Sequence, residues 1–138
     1  MALQETLGGN ITIVNGGDCF DFKGSGTITE GRLVEVDTAN SVFTVKAATA
    51  NSKAVIGYVD ATYESNDRVL VHTGGIARLY NNSGATISAN ILVAANTAGT
   101  IKEYINSASG TVVGHTLESI TDASFGRVYV NPTYNPVP

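Results

Sequence analysis

The stretches "VIGYVDATYESNDRVLV" (residues 55–71) and "VVGHTLESITDASFGRVYV" (residues 112–130) decide how this chain folds. Each opens with a Val-rich run broken by glycine and crosses a polar span rich in Asp, Ser or Asn. Each closes on an arginine followed by alternating residues. The second stretch also invites a different reading, because His115 stands beside Thr116 with Glu118 and Asp122 nearby. A hydrolase triad uses such groups, but it needs a nucleophile, a base and an orienting acid brought together in space. No G-x-S-x-G elbow occurs, and the serines lie in turn-like contexts such as "NSG", "SASG" and "GSG". Set against the first stretch, His115 takes the place of Tyr58. A site filled by either residue is a half-exposed packing position on a strand.

Three blocks recur in the same order. "ITEGRLV" (28–34) matches "ISANILV" (87–93) at a shift of 87 − 28 = 59, and "VIGYV" matches "VVGHT" at 112 − 55 = 57. "DRVLV" (67–71) matches "GRVYV" (126–130) at 126 − 67 = 59. The pattern predicts a duplicated unit, with half-repeats over 28–71 and 87–130 that pack pseudo-symmetrically into one compact barrel-like core. Gly57 and Gly114 interrupt strands at matching places, where glycine marks a bulge or a close backbone approach.

The rest of the chain reads as short strands bounded by Gly, Asn, Asp and Ser. "NITIV", "GRLVEVDT", "SVFTVKA", "AVIGYVDATY", "DRVLVHT", "GIARLYN", "NILVAA", "TIKEYI", "TVVGHTL" and "GRVYV" are the expected strands. "VLVHTGGIARLY" is expected to form a hairpin, since Gly74 and Gly75 can take the positive φ angles of a two-residue turn. "SANILVAAN" tolerates a helix, although Ile91 and Val93 favour a strand. The fold class is therefore all-β, with at most a short helical turn.

Composition narrows the function. The chain has 138 residues, enough for one domain that buries about two-thirds of its unfolded surface. Charged residues make up 14% and the formal net charge is −4, with the basic residues scattered singly. A nucleic-acid partner would need clustered Lys and Arg. No apolar run is long enough to cross a bilayer, and the N-terminus lacks a secretory signal, so the chain is expected to be made in a reducing cytoplasm. Cys19 is the single cysteine and lies between Asp18 and Asp21, whose charges disfavour a thiolate; it is expected to be a small buried hydrophobe. His72 beside a turn is expected to be solvated or hydrogen-bonded, and two isolated histidines do not make a zinc site. "YESNDR" (63–68) lacks the pattern of a calcium loop, and the Gly-rich turns lack the Lys-Ser/Thr of a phosphate loop. No cofactor and no enzymatic activity are expected.

The ends differ from the middle. Residues 1–10 read as an N-terminal arm and residues 11–131 as a single β domain. Residues 132–138 hold all three prolines and read as a tail that cannot continue a central strand.

The blocks "ITEGRLVEVDTANSVFTVKAATANSKAVIGYV", "DRVLVHTGGIARLY", "ISANILVAANTAGTIKEY", "TVVGHTLES" and "GRVYVNP" resemble the head decoration, or capsid cement, proteins of tailed bacteriophages. The resemblance spans residues 26–132. It implies a β-tulip or barrel-like domain, often trimeric, on the outer surface of an icosahedral shell of major capsid protein. Its implied role is to brace the expanded shell. The N-terminal arm takes no part in the resemblance; its own apolar residues Leu3 and Leu7, with Ile11 and Ile13 just after it, are the expected capsid-binding residues. Another class remains, a small β-barrel binding module such as a glycan- or receptor-binding tip of a virion, for which Tyr58, Tyr63, Tyr80 and Tyr104 could form a platform.

Overall fold

The computed structural model describes residues 19–40 and 43–132. Ten strands follow one another: β1 (Cys19–Gly24), β2 (Arg32–Val36), β3 (Thr44–Ala47), β4 (Val55–Val59), β5 (Arg68–His72), β6 (Gly75–Asn81), β7 (Leu92–Ala95), β8 (Ile101–Glu103), β9 (Gly114–Thr116) and β10 (Ser124–Val130). Single 3-10 turns at Thr97–Gly99 and Ser107–Ser109 are the helical pieces among the described residues. The ambiguous "SANILVAAN" supplies β7, because Val93 and Ala95 are needed inside a barrel.

The strands close into two barrels of five. Around the first the order is β1-β3-β2-β4-β5, and around the second it is β6-β8-β7-β9-β10. The two orders are the same path walked twice. In each, the first strand runs parallel to the third and antiparallel to the fifth. An isolated bridge joins the start and the long loop of each unit, Ile28 with Tyr63 and Ile87 with Ile120. Left-handed corners recur as well: Gly31 and Asn90 (φ 73° and 62°) lead into β2 and β7, and Asn66 and Ala123 (φ 73° and 58°) lead into β5 and β10.

Alternation explains the strands. In β6 Ala77 and Leu79 are buried while Ile76 and Arg78 face solvent, and β10 buries Val128 and Val130 while exposing Arg127 and Tyr129. β1 obeys the same rule, with Phe22 packed on the first core and Asp21 and Lys23 exposed. The glycines behave as their position requires. A methyl group at Gly57 would collide with the carbonyl oxygen of His72, and one at Gly114 with that of Tyr129. These are matching contacts, offset by 114 − 57 = 57 and 129 − 72 = 57. The register of β5 and β10 thus differs by two residues from the sequence match of "DRVLV" with "GRVYV". An even slip keeps the same residues facing inward.

"VLVHTGGIARLY" is not a hairpin. β5 pairs with β1 and β4, whereas β6 pairs with β10 and β8. Closing a barrel uses both edges of every strand, so residues 73–74 pass from one barrel to the other.

Two apolar clusters hold the molecule. Ile28, Val34, Val45, Val59, Val69 and Val71 fill the first barrel. The other cluster fills the second barrel and also takes in Leu33, Ala48, Val55 and Tyr58 from the first. Burying one side chain of that size is worth about 1.5–3 kcal/mol, so the seam joins the two barrels into one body. Backbone hydrogen bonds cross it too, from Gly99 N to Ala48 O (2.7 Å), Asn51 N to Ala95 O (3.1 Å) and Thr111 N to Ser52 O (2.9 Å).

Candidate docking surface

The groups that suggested a triad in the sequence are engaged elsewhere. Thr116 is buried; its hydroxyl donates to Ser88 O (2.6 Å) and accepts from Ile91 N (3.0 Å), which ties the loop before β7 to β9. Glu118 accepts from Arg127 N (2.8 Å) and pairs with its guanidinium; these hydrogen bonds hold its carboxyl below the usual range. Asp122 accepts from Gly84 N (2.9 Å). His115 packs against Tyr129, ring centroids 5.6 Å apart. Each of the four thus has its partner outside the group.

His72 is buried rather than solvated, and hydrogen-bonding distance joins its Nδ1 to Cys19 Sγ at 3.0 Å. Its Nε2 lies 3.1 Å from Asp60 Oδ2 without the alignment of a hydrogen bond. The imidazole stacks on Tyr58 at 5.3 Å, and the Tyr58 hydroxyl donates to Gly74 O. Cys19 is half-buried rather than fully buried. In "YESNDR", Asp67 accepts from Glu64 N, an ordinary turn.

At the seam, Arg32 of β2 lies over the Tyr80 ring (4.5 Å), and Arg78 lies over Phe125 (4.4 Å). Partial burial lowers the pKa of the Arg32 guanidinium. The tyrosines expected to build a platform do not converge: Tyr58 is buried, Tyr63 packs on the first core and Tyr80 belongs to this seam.

What the two barrels present outward is a matched row of side chains. On the first it runs Leu33, Tyr58, His72, Cys19 across β2, β4, β5 and β1, each opposite the next. On the second it runs Leu92, His115, Tyr129, Ile76 across β7, β9, β10 and β6. Leu33, Tyr58 and His72 are 0%, 3% and 3% exposed; Leu92, Tyr129 and Ile76 are 47%, 43% and 46% exposed. Sequence reasoning placed His115 on this face but missed the row, because strand neighbours are not chain neighbours. Its signal was Leu92 and Tyr129 facing opposite to the buried Val93 and Val128.

Leu3, Leu7, Ile11 and Ile13 lie outside the described residues, as do "NITIV" and residues 133–138. Their points of attachment are described. Cys19 lies opposite His72 and Val130 opposite Gly75, so both segments join the fold beside residues 73–74.

The fold is thus a tandem pair of closed five-stranded barrels. No protein-family model and no curated protein matches the chain. Among solved structures it is similar to the N base of the head fiber protein gp8.5 of bacteriophage phi29, with a TM-score of 0.64 and 14% identity. The match covers 83% of this chain and 94% of that one. At this identity the likeness is one of fold.

Proposed function

We propose that the chain is a structural protein of a tailed-phage particle, which sits on the outer surface of the icosahedral shell and stabilises it after expansion. The observation that carries this reading is the fold shared, over 83% of this chain, with a phage head fiber base. The sequence resemblance to decoration proteins supports it from separate features. The partner is the major capsid protein, and the protein acts as a homo-oligomer, a trimer in its simplest form. It needs no nucleic acid, membrane, cofactor or catalytic group, is made in the host cytoplasm and ends in the virion.

Both barrels are closed, so neither offers an open sheet edge to a capsid segment. Strand addition at the shell would then use this chain's own N-terminal arm as the added strand, with Leu3, Leu7, Ile11 and Ile13 giving side-chain register. Repetition over a symmetric shell multiplies modest contacts.

The test is to add the purified protein to expanded capsids that lack it. Stoichiometric binding and greater resistance to heat are expected. No capsid binding together with retention of a glycan on an array would favour the binding module instead. Deletion of residues 1–10 is expected to weaken binding while the β spectrum stays intact. His115→Tyr is expected to leave binding unchanged, because a tyrosine, Tyr58, fills the matching strand position of the first barrel.

A further inference from the structure

We propose that the exposed row Leu92–His115–Tyr129–Ile76 docks onto the first barrel of a second copy of this chain, head to tail. The template is inside the molecule. The matching row of the first barrel is covered within the chain: Leu33 and Tyr58 join one cluster with Ala77, Leu79 and Val113 of the second barrel. The second row has the same strand positions and the same Leu and His–Tyr chemistry, with the His and Tyr exchanged. Nothing in the chain's described residues covers Leu92, Tyr129 or Ile76 to the same degree.

The complementary half is exposed too. Ala77, which shares the cluster with Leu33 and Tyr58, corresponds in the first barrel to Phe20 (77 − 20 = 57). Phe20 lies on the inward side of β1 opposite the buried Val71, yet it is 51% exposed. Among the described residues, the first barrel therefore has an exposed apolar end at Phe20, and the second has an exposed apolar row. Ile76 also lines the groove at the seam together with Tyr58, so the row continues an interface already formed. One copy's row on the next copy's Phe20 end uses both surfaces and repeats the contact found inside each chain. Such a heterologous contact closes into a ring when its rotation allows. The arrangement rests on the oligomeric part of the proposed function, but it is measured without capsids, so either can fail alone.

Sedimentation of the full chain at micromolar concentration is expected to give an oligomer. Tyr129→Glu, Leu92→Glu and Phe20→Glu should each reduce it to a single chain of 14.3 kDa with an unchanged β spectrum. Ile105→Glu, at an exposed site off the row (76%), should leave the oligomer intact. Mixing Tyr129→Glu with Phe20→Glu should restore a species of two chains and no larger, because one intact half survives on each. A monomeric parent chain would overturn the proposal, as would an oligomer that survives both row variants. A Phe20→Glu variant that stays oligomeric, or a mixture that stays monomeric, would overturn the head-to-tail arrangement. If deletion of residues 133–138 or 1–10 newly exposes the row or Phe20 to solvent labelling in a monomer, the chain's own ends are the occupants and the proposal fails.

Discussion

The same cross-strand pair occurs twice with its members exchanged, Tyr58 opposite His72 in the first barrel and His115 opposite Tyr129 in the second. The first pair is buried at 3% exposure for each residue, and Tyr129 in the second is 43% exposed. Strand, register and chemistry are held constant between them, so the difference isolates what covers each pair. Burial here comes from the neighbouring unit and not from the barrel that carries the residues. A copy of the fold that lacks a neighbour on that side shows an apolar row to solvent.

Truncation should separate the two pairs most widely. Tyr58→Ala is expected to cost about 3–5 kcal/mol, as for a large aromatic removed from a core. Tyr129→Ala, in dilute solution where the chain is monomeric, should cost within about 0.5 kcal/mol, as for an exposed site. Urea denaturation of the two variants measures the contrast, and equal losses would mean that the second row is covered in the monomer. Next in size, Gly57→Ala and Gly114→Ala should each destabilise by about 1–3 kcal/mol, because the added methyl meets a cross-strand carbonyl at both positions. A large effect at one and none at the other would show that the two close approaches are not equivalent.

Ala123 holds the left-handed corner that Asn66 holds in the first unit. Ala123→Gly is expected to stabilise the chain by about 1 kcal/mol, read as a rise in melting temperature, whereas the left-handed Asn66 should gain far less. The smallest effect concerns acid. Asp37 accepts hydrogen bonds from Asn40 Nδ2 (2.6 Å) and Ala39 N (3.2 Å), and the bond from Asn40 is the main cause of its lowered pKa. A carboxyl whose folded pKa is depressed stabilises above its unfolded pKa and loses that contribution as pH falls through the folded value. Protection of the amides around residues 37–40, taken as exchange relative to the unstructured chain at the same pH, should therefore fall on acidification below the usual aspartate range. The corresponding turn at Asn96 carries no charge and should not respond.

Much of this was legible in the sequence. Period-two alternation marked the strands from β2 to β10, and the match of Gly57 with Gly114 foretold two equal close approaches. Two features escaped. β1 is absent from the expected strands because Asp18, Asp21 and Lys23 crowd a short segment with charge, although Phe20 and Phe22 alternate with Asp21 and Lys23 as a strand requires. Thr73 and the two glycines that follow satisfied every local rule for a hairpin. The choice was made by β1, 53 residues before His72, which takes the edge of β5 that a hairpin would have used. Local chemistry specifies a strand and its inward face; partner choice belongs to the closed barrel. The row that includes Leu92 and Tyr129 was hidden for the same reason.

β1 lies against β5 and β6 against β10, so each unit begins and ends at one place, and two residues suffice to join one to the next. Such a unit can be copied in tandem without threading or rearranging its interior. It also allows circular permutation: a chain opened between residues 73 and 74, with Asn131 joined to Cys19 through a linker, would present the barrels in reverse order around the same seam.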